Sequence, residues 1–420
     1  LWKNIQFELS FKAFSWLVVG LTTFMLFFLP LNSFDRGYWA DWSNTIQQQG
    51  ITNAYQNPGI NYPPLVLYLL WGFGSILSAF QLDFQANIHL FKVFFLVFDL
   101  AVLLLAGYAA SRSHKNINRA VFLLFNIGFW YNSLVFGQTD SAFVALAMLS
   151  VWFMYQRKFS LSSVLLALAF GFKFQTMLWL PIWAVAMLFA LWGKSQRKVL
   201  VHLGKMLAAF VVTMVLIFSP FLMAGTIVPA INGSYVTSVQ NRFHELSVHA
   251  FNFWHIILPV EKTKTDPSEL TSFGLSYELI GYALIIITLL VVAFIYVVHA
   301  IRAGKLLGFD FAQLMLLQGI ISLSVFMFST RMHERYAHSA VLSLLVYAVI
   351  TKRIVLIFLI SIPYWLNLAS VVEYGGSIMQ GKFVGLSSLL VGLMYLAALL
   401  LAIWYWSELD FKKITGLTKR

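Results

Sequence analysis

Only 10% of the residues are charged, and the ionisable side chains gather in a few short stretches where chemistry could occur. FDRGYWADW (34–42) sets two carboxylates and one guanidinium among four aromatic rings, and RMHERYAH (331–338) holds two arginines, two imidazoles and a carboxylate. Between them lie FGQTDSAF (136–143), GFKFQTM (171–177) and NRFHELSVHAFNFW (241–254). A carboxylate beside apolar rings can be desolvated and serve as a base, which makes Asp35 and Asp41 candidates. Arginine forks with a histidine hold phosphate oxygens, so Arg331, His333 and Arg335 form a candidate anion site, to which Arg242, His244 and His249 could add. Lys173 could likewise meet a phosphate. Each stretch also has a plain reading. Tyr38, Trp39 and Trp42 suit an aromatic belt at headgroup depth, Asp140 and Lys173 suit capping and snorkelling, and 241–254 suits an amphipathic helix.

Other chemistries fail on spacing or composition. His333 and His338 are five apart, whereas a His-Glu-x-x-His zinc site needs imidazoles at i and i+4, so no metal is expected. There are no cysteines, which removes disulfides and thiolate chemistry. No glycine-rich phosphate loop, Ser-x-x-Lys or nucleophile elbow is present. Asp99, inside FFLVFDLAVLL, is costly in hydrocarbon and is expected to face the bundle interior near Lys92 as a structural pair.

The elements that must position these residues are set by apolarity. With 60% hydrophobic residues and a mean hydropathy of +0.80, the chain is solvated largely by lipid and reads as one integral membrane domain, 1–420. The first apolar run is read as a retained anchor, not a cleaved signal. Spans are expected near 13–33, 88–111, 120–136, 141–156, 160–172, 176–193, 199–222, 276–298, 308–328, 338–350, 354–372 and 384–407. The stretch 63–81, after the double proline of NYPPL, is expected to lie in or dip into the interface. Arg112 to Arg119, Arg157 with Lys158, Lys194 to Lys198, Arg302 with Lys305, Lys352 with Arg353 and the tail from Lys412 then all fall in the cytoplasm with both termini. The same topology carries the polar stretches to the outer side, where two long loops, 34–87 and 223–275, contrast with short inner turns. The net charge of +12 is spread over loops, so nucleic acid is not an expected partner.

Taken in order, the clusters resemble those of the GT-C fold glycosyltransferases, in particular the lumenal enzymes that add glucose to dolichol-linked oligosaccharide. The elements that carry this are Asp35 with Trp42, NYPPL (61–65), Asp99, FGQTDS (136–141), FKFQTM (172–177), AFNFW (250–254) and HER (333–335). Asn61 stands where that family has aspartate, Arg335 where it has lysine, and the residues before Trp42 differ. Bacterial relatives of the GPI mannosyltransferases are similar around RMHERY. The resemblance implies an all-α polytopic membrane protein of GT-C type, with about 12 transmembrane helices and interfacial helices in the first outer loop. It implies inverting transfer of a hexose, glucose ahead of mannose, from a polyprenyl-phosphate carrier to an envelope glycan or lipid-linked acceptor, with no cofactor. The setting would be the outer face of a bacterial plasma membrane. Asp35 would be the general base. His333, Glu334, Arg335 and Lys173 would hold donor phosphate or sugar, with Arg242 added by charge and position. Asp41, Trp42, Asn61, Gln138, Asp140, Gln175, His249 and Asn252 would complete the site. A transporter or lipid-linked sugar flippase is the competing class, and it predicts ionisable residues lining both sides toward the midplane. A scaffold subunit predicts that the polar clusters tolerate substitution.

Overall fold

The computed structural model describes residues 35–114, 126–237, 244–304, 306–371 and 382–409, with isolated positions between 13 and 24 and at 123. The expected first span, 13–33, and the basic tail lie outside the described residues. Helix α1 (Asp35–Gln49) ends at Gly50, whose φ of 79° only glycine adopts freely. Helix α2 (Pro64–Ala79) starts with a proline at the position where a missing N–H costs nothing. The two pack through Gln47, whose Nε2 donates to Trp71 O at 3.0 Å.

Helix α3 (Val93–His114) is followed by α4 (Asp140–Tyr155) and α5 (Phe159–Phe172), which form an antiparallel hairpin. Ser150 Oγ donates to Ser162 O at 2.7 Å and Ser162 Oγ to Ser150 O at 2.8 Å, a reciprocal pair that holds apolar helices together where the hydrophobic effect is weak. The chain continues through α6 (Leu180–Leu191), α7 (Gln196–Met223) and α8 (Tyr277–Ala303). A capping box between Asp310 and Gln313 opens α9 (Phe311–Phe328). Helices α10 (His338–Thr351), α11 (Ile354–Ala369) and α12 (Lys382–Ser407) complete the order. A two-residue parallel sheet joins β1 (Ser247–Val248) to β2 (Met332–His333).

This is a multi-helix integral membrane protein, and the expected number of crossings is corrected. Among the described residues six helices are long and apolar enough to cross a membrane: Phe84–Arg112, Phe174–Leu191, Gln196–Met223, Tyr277–Ala303, Phe311–Phe328 and Ser387–Ser407. That is half of the roughly 12 that a GT-C fold requires, and the GT-C fold class is withdrawn. The apolar runs counted as crossings at 141–156, 160–172, 338–350 and 354–372 form helices of 14 to 16 residues. At 1.5 Å per residue these reach roughly 21–24 Å, short of a hydrocarbon layer of about 30 Å. Within the run at 120–136, Asn126 is non-helical, and the described residues after it form a short α-helix at Ile127–Trp130 and a π-helical turn at Tyr131–Val135.

The helices nevertheless share a polarity. The starts of α4, α8 and α10 and the ends of α5 and α9 meet at one end of the bundle. Arg157, Lys158, Lys194, Arg197, Lys198, Arg302, Lys352 and Arg353 lie at the opposite helix ends.

Candidate functional site

The shared helix ends enclose a cavity of about 390 Å³. Its wall is built from the turn before α2 (Asn61, Tyr62), the first residue of α4 (Asp140), the segment after α5 (Lys173, Gln175, Met177) and the first turns of α8 (Glu278, Tyr282). The connection from α9 to α10 supplies Arg331, His333, Arg335 and Tyr336.

Three ion pairs organise the charge. Lys173 Nζ lies 2.7 Å from Asp140 Oδ1, and both side chains are buried. The ammonium is ringed by Tyr62, Phe143 and Tyr336, with centroids 5.6–5.9 Å away, so its apolar surroundings are partly offset by cation–π attraction. Arg331 Nη1 is 3.0 Å from Glu278 Oε1, which also accepts from Tyr282 Oη at 2.8 Å. Arg335 Nη1 is 3.0 Å from Glu334 Oε1, and Glu334 is itself buried behind the wall. Burial, then Arg335, Lys173 and His249, holds the His333 imidazole well below the usual histidine range. At neutral pH His333 therefore offers one N–H and one lone pair, not a positive charge.

Backbone geometry fixes this wall. Arg331 and His249 both take φ of 60°, a left-handed conformation that costs a non-glycine residue about 1–2 kcal/mol. They flank the β1–β2 pairing, and Arg331 N donates to Leu246 O at 2.9 Å. The loop carrying β1 is pinned from α11, where Asn367 Nδ2 donates to His249 O at 2.7 Å and Oδ1 accepts from Phe251 N at 3.1 Å.

The cavity gathers Asn61, Asp140, Lys173, Gln175, His333 and Arg335 from the expected set, with Glu334 directly behind. Trp42 is one shell away, its ring 5.6 Å from that of Tyr62. Asp35 begins α1, but its side chain lies outside the described residues, as does the whole of Arg242. Asp41 is exposed and its carbonyl accepts from Thr45 Oγ1. His249 is exposed; its backbone bridges to His333 and its imidazole acts on His333 through charge. Asn252 is a cap: its Oδ1 accepts from Trp254 N at 3.3 Å and its Nδ2 donates to Phe326 O at 3.1 Å. Gln138 is fully buried, its backbone N–H bonded to Asn132 O. The expected Asp99–Lys92 pair is not formed; the hydroxyls of Ser141 and Ser133 act on Asp99 without closing a well-formed hydrogen bond to it. Sequence reading missed Glu278, Tyr62, Tyr282 and Tyr336. Glu278 carried a weak signal, as an acidic residue in the first turn of a long apolar helix.

Among the described residues no group of three or more His, Asp or Glu is placed to hold a metal ion. No family model matches the chain, and no curated protein matches it significantly.

Proposed function

We propose that the protein transfers a hexose, glucose ahead of mannose, from a polyprenyl-phosphate carrier to a hydroxyl-bearing glycan or lipid-linked acceptor. The observation that carries the reading is the pairing of cations and carboxylates within one half-apolar chamber at the end of the bundle away from the basic loops. Arginine and lysine suit a phosphodiester that becomes a phosphate monoester dianion, because fixed cations stabilise charge that grows as the leaving group departs. Asp140, Glu278 and the surrounding tyrosines suit the hydroxyls and ring faces of a sugar. Tyr282 and Met177 are half-exposed at the chamber's edge, beside helix faces that meet lipid, which suits a donor whose chain stays in the bilayer. A volume near 390 Å³ falls within the usual range for small-molecule sites.

Asp35 remains the proposed base. It precedes Trp39 and Trp42 by four and seven residues at the start of α1, and both indoles pack on Tyr62 at 5.3 and 5.6 Å. In the transfer step the acceptor oxygen bonds to the sugar C1 as its proton passes to the base. The C1–O bond to phosphate breaks, and the carrier monophosphate leaves. On this reading the cavity faces away from the cytoplasm.

The test is consumption of a panel of polyprenyl-phosphate sugars by purified protein in lipid, wild type against Asp35→Asn at matched folding. One donor should be consumed by the wild type and spared by the variant. An equally active variant removes Asp35 as base. If no donor is used in the presence of envelope acceptors, the transfer reading gives way to transport.

A further inference from the structure

From the cavity wall inward a second set of polar side chains is enclosed between helices and has no place in the transfer step. His338, the first residue of α10, is 1% exposed and is held from both sides. Its Nε2 lies 3.1 Å from Ser141 Oγ on α4, and its Nδ1 lies 2.9 Å from Tyr364 Oη on α11. Ser141 Oγ is 2.6 Å from Ser133 Oγ in the π-helical turn at Tyr131–Val135, a kind of helix defect that concentrates at functional sites. Beyond the two hydroxyls stands Asp99 on α3, fully buried, with Ser141 and Ser133 as its electrostatic partners. Neither carboxyl oxygen makes a hydrogen bond of good geometry among the described residues.

The ion pairs of the described residues do not use Asp99. The charged groups acting on His338 are Asp140 and Lys173, of opposite sign. Those acting on Tyr364 are Asp140, Glu334 and Asp99, with the phenol of Tyr395 beside them. An isolated carboxylate in such surroundings is costly, and a proton at Asp99 removes the cost.

Every link from Tyr364 to Ser133 can both donate and accept a hydrogen bond, so the chain has two directions. A neutral imidazole bonded at both nitrogens must donate from one and accept at the other. If Asp99 is a carboxylate it can only accept. Ser141 then donates toward it and accepts from His338 Nε2–H, while Tyr364 O–H donates to Nδ1. If Asp99 carries a proton it donates, Ser141 turns its hydrogen to Nε2, and Nδ1–H donates to Tyr364.

We propose that Asp99 is a positioning residue that acts through this chain: the proton it holds or releases sets which nitrogen of His338 is protonated at the cavity wall. His338 and its neighbour Ser339 both line the cavity, and Ser339 Oγ accepts from Trp179 Nε1 at 3.3 Å. The tautomer therefore changes the field felt by the Asp140–Lys173 pair. Its effect on turnover rests on the transfer reading above, whereas the coupling itself does not.

The test uses full-length protein in lipid vesicles with ¹⁵N-labelled histidine, followed by solid-state NMR from mildly acidic to mildly alkaline pH. The His338 signal is identified by its loss in His338→Gln, and no donor sugar is added. In the wild type the His338 tautomer should switch with pH, in step with an infrared carbonyl band of a protonated acid that Asp99→Asn removes. In Asp99→Asn the switch should be lost. Tyr364→Phe, which leaves Nδ1 without its partner, should lock the Nε2–H form at every pH. One tautomer throughout in the wild type, or a switch that survives in Asp99→Asn, overturns the proposal. Because the readout needs no turnover, its failure is distinct from failure of the donor assay. Where transfer is measured, Asp99→Asn should flatten its pH profile and Asp99→Glu restore it.

Discussion

Helices α8 and α9 run side by side and both are apolar enough to cross a membrane, yet only 11% of the spanning window of α8 is buried against 94% for α9. The more buried helix is the more polar one. Helix α9 carries Gln313, Gln318, Gly319, Ser322 and Ser324, and Gln318 Nε2 donates to Ser322 Oγ at 2.8 Å and to Leu178 O at 3.3 Å. Helix α8 presents Ile286, Leu290, Phe294 and Val297 to its surroundings. In water the greasier helix would be the core. In lipid apolarity gives no reason to be buried, so small residues and satisfied hydrogen bonds mark the interior instead.

If that contrast is right, disturbing the interior should cost far more than disturbing the flank. The largest effect is expected at the cavity floor. Lys173→Met leaves the Asp140 carboxylate buried without its cation and should destabilise by roughly 3–5 kcal/mol, read as a lowered melting temperature in detergent. A neutral result would mean that the pair is already wet.

A smaller effect is expected from acid. His255, between α9 and α12, has both ring nitrogens without hydrogen-bond partners, and burial, with His249 adding to it, pushes it down to about 4. Its folded value lies below the unfolded one, so below about pH 6.5 the unfolded chain binds the extra proton and stability falls as pH drops toward 4. By linkage this residue alone contributes at most about 3 kcal/mol of that fall. His333, also held low, adds in the same direction. His255→Phe should flatten the melting temperature between pH 6.5 and 4, and an unchanged slope would place the titration elsewhere.

The smallest effects sharpen the comparison most. A Cβ at Gly319 on α9 would collide with Leu344 of α10, whereas one at Gly204 on α7 meets nothing within 4 Å. Gly319→Ala should destabilise by roughly 1–3 kcal/mol, and Gly204→Ala should stabilise by about 0.5–1 kcal/mol, in the same thermal assay. Equal responses would erase the distinction between interior and flank.

The same contrast explains what could be read from the sequence. The long spans at 88–111, 199–222, 276–298 and 384–407 were legible because 20 or more apolar residues have few other uses. The count of crossings was not, since runs of 14 to 16 apolar residues read alike whether they traverse or stop short. At the site, the residue types were legible and their partnerships were not. Asp140 and Lys173 are 33 positions apart, joined only because the α4–α5 hairpin folds back by its own length. Arg331 and Glu278 meet across two long helices. Asn252 entered the expected site through the AFNFW motif, but an asparagine just before a short helix is equally a cap, and that is the role it takes.

The ion pairing of the chamber bears on supply. Lys173, Arg331 and Arg335 stand against Asp140, Glu278 and Glu334, and with His333 neutral the charges cancel. A balanced chamber projects little potential beyond a Debye length, so it does little to steer a free anion in from solution. On the proposed reading the lipid-borne donor arrives instead by two-dimensional diffusion along the bilayer. Occupancy would then follow the carrier's density per unit membrane area and be almost indifferent to ionic strength.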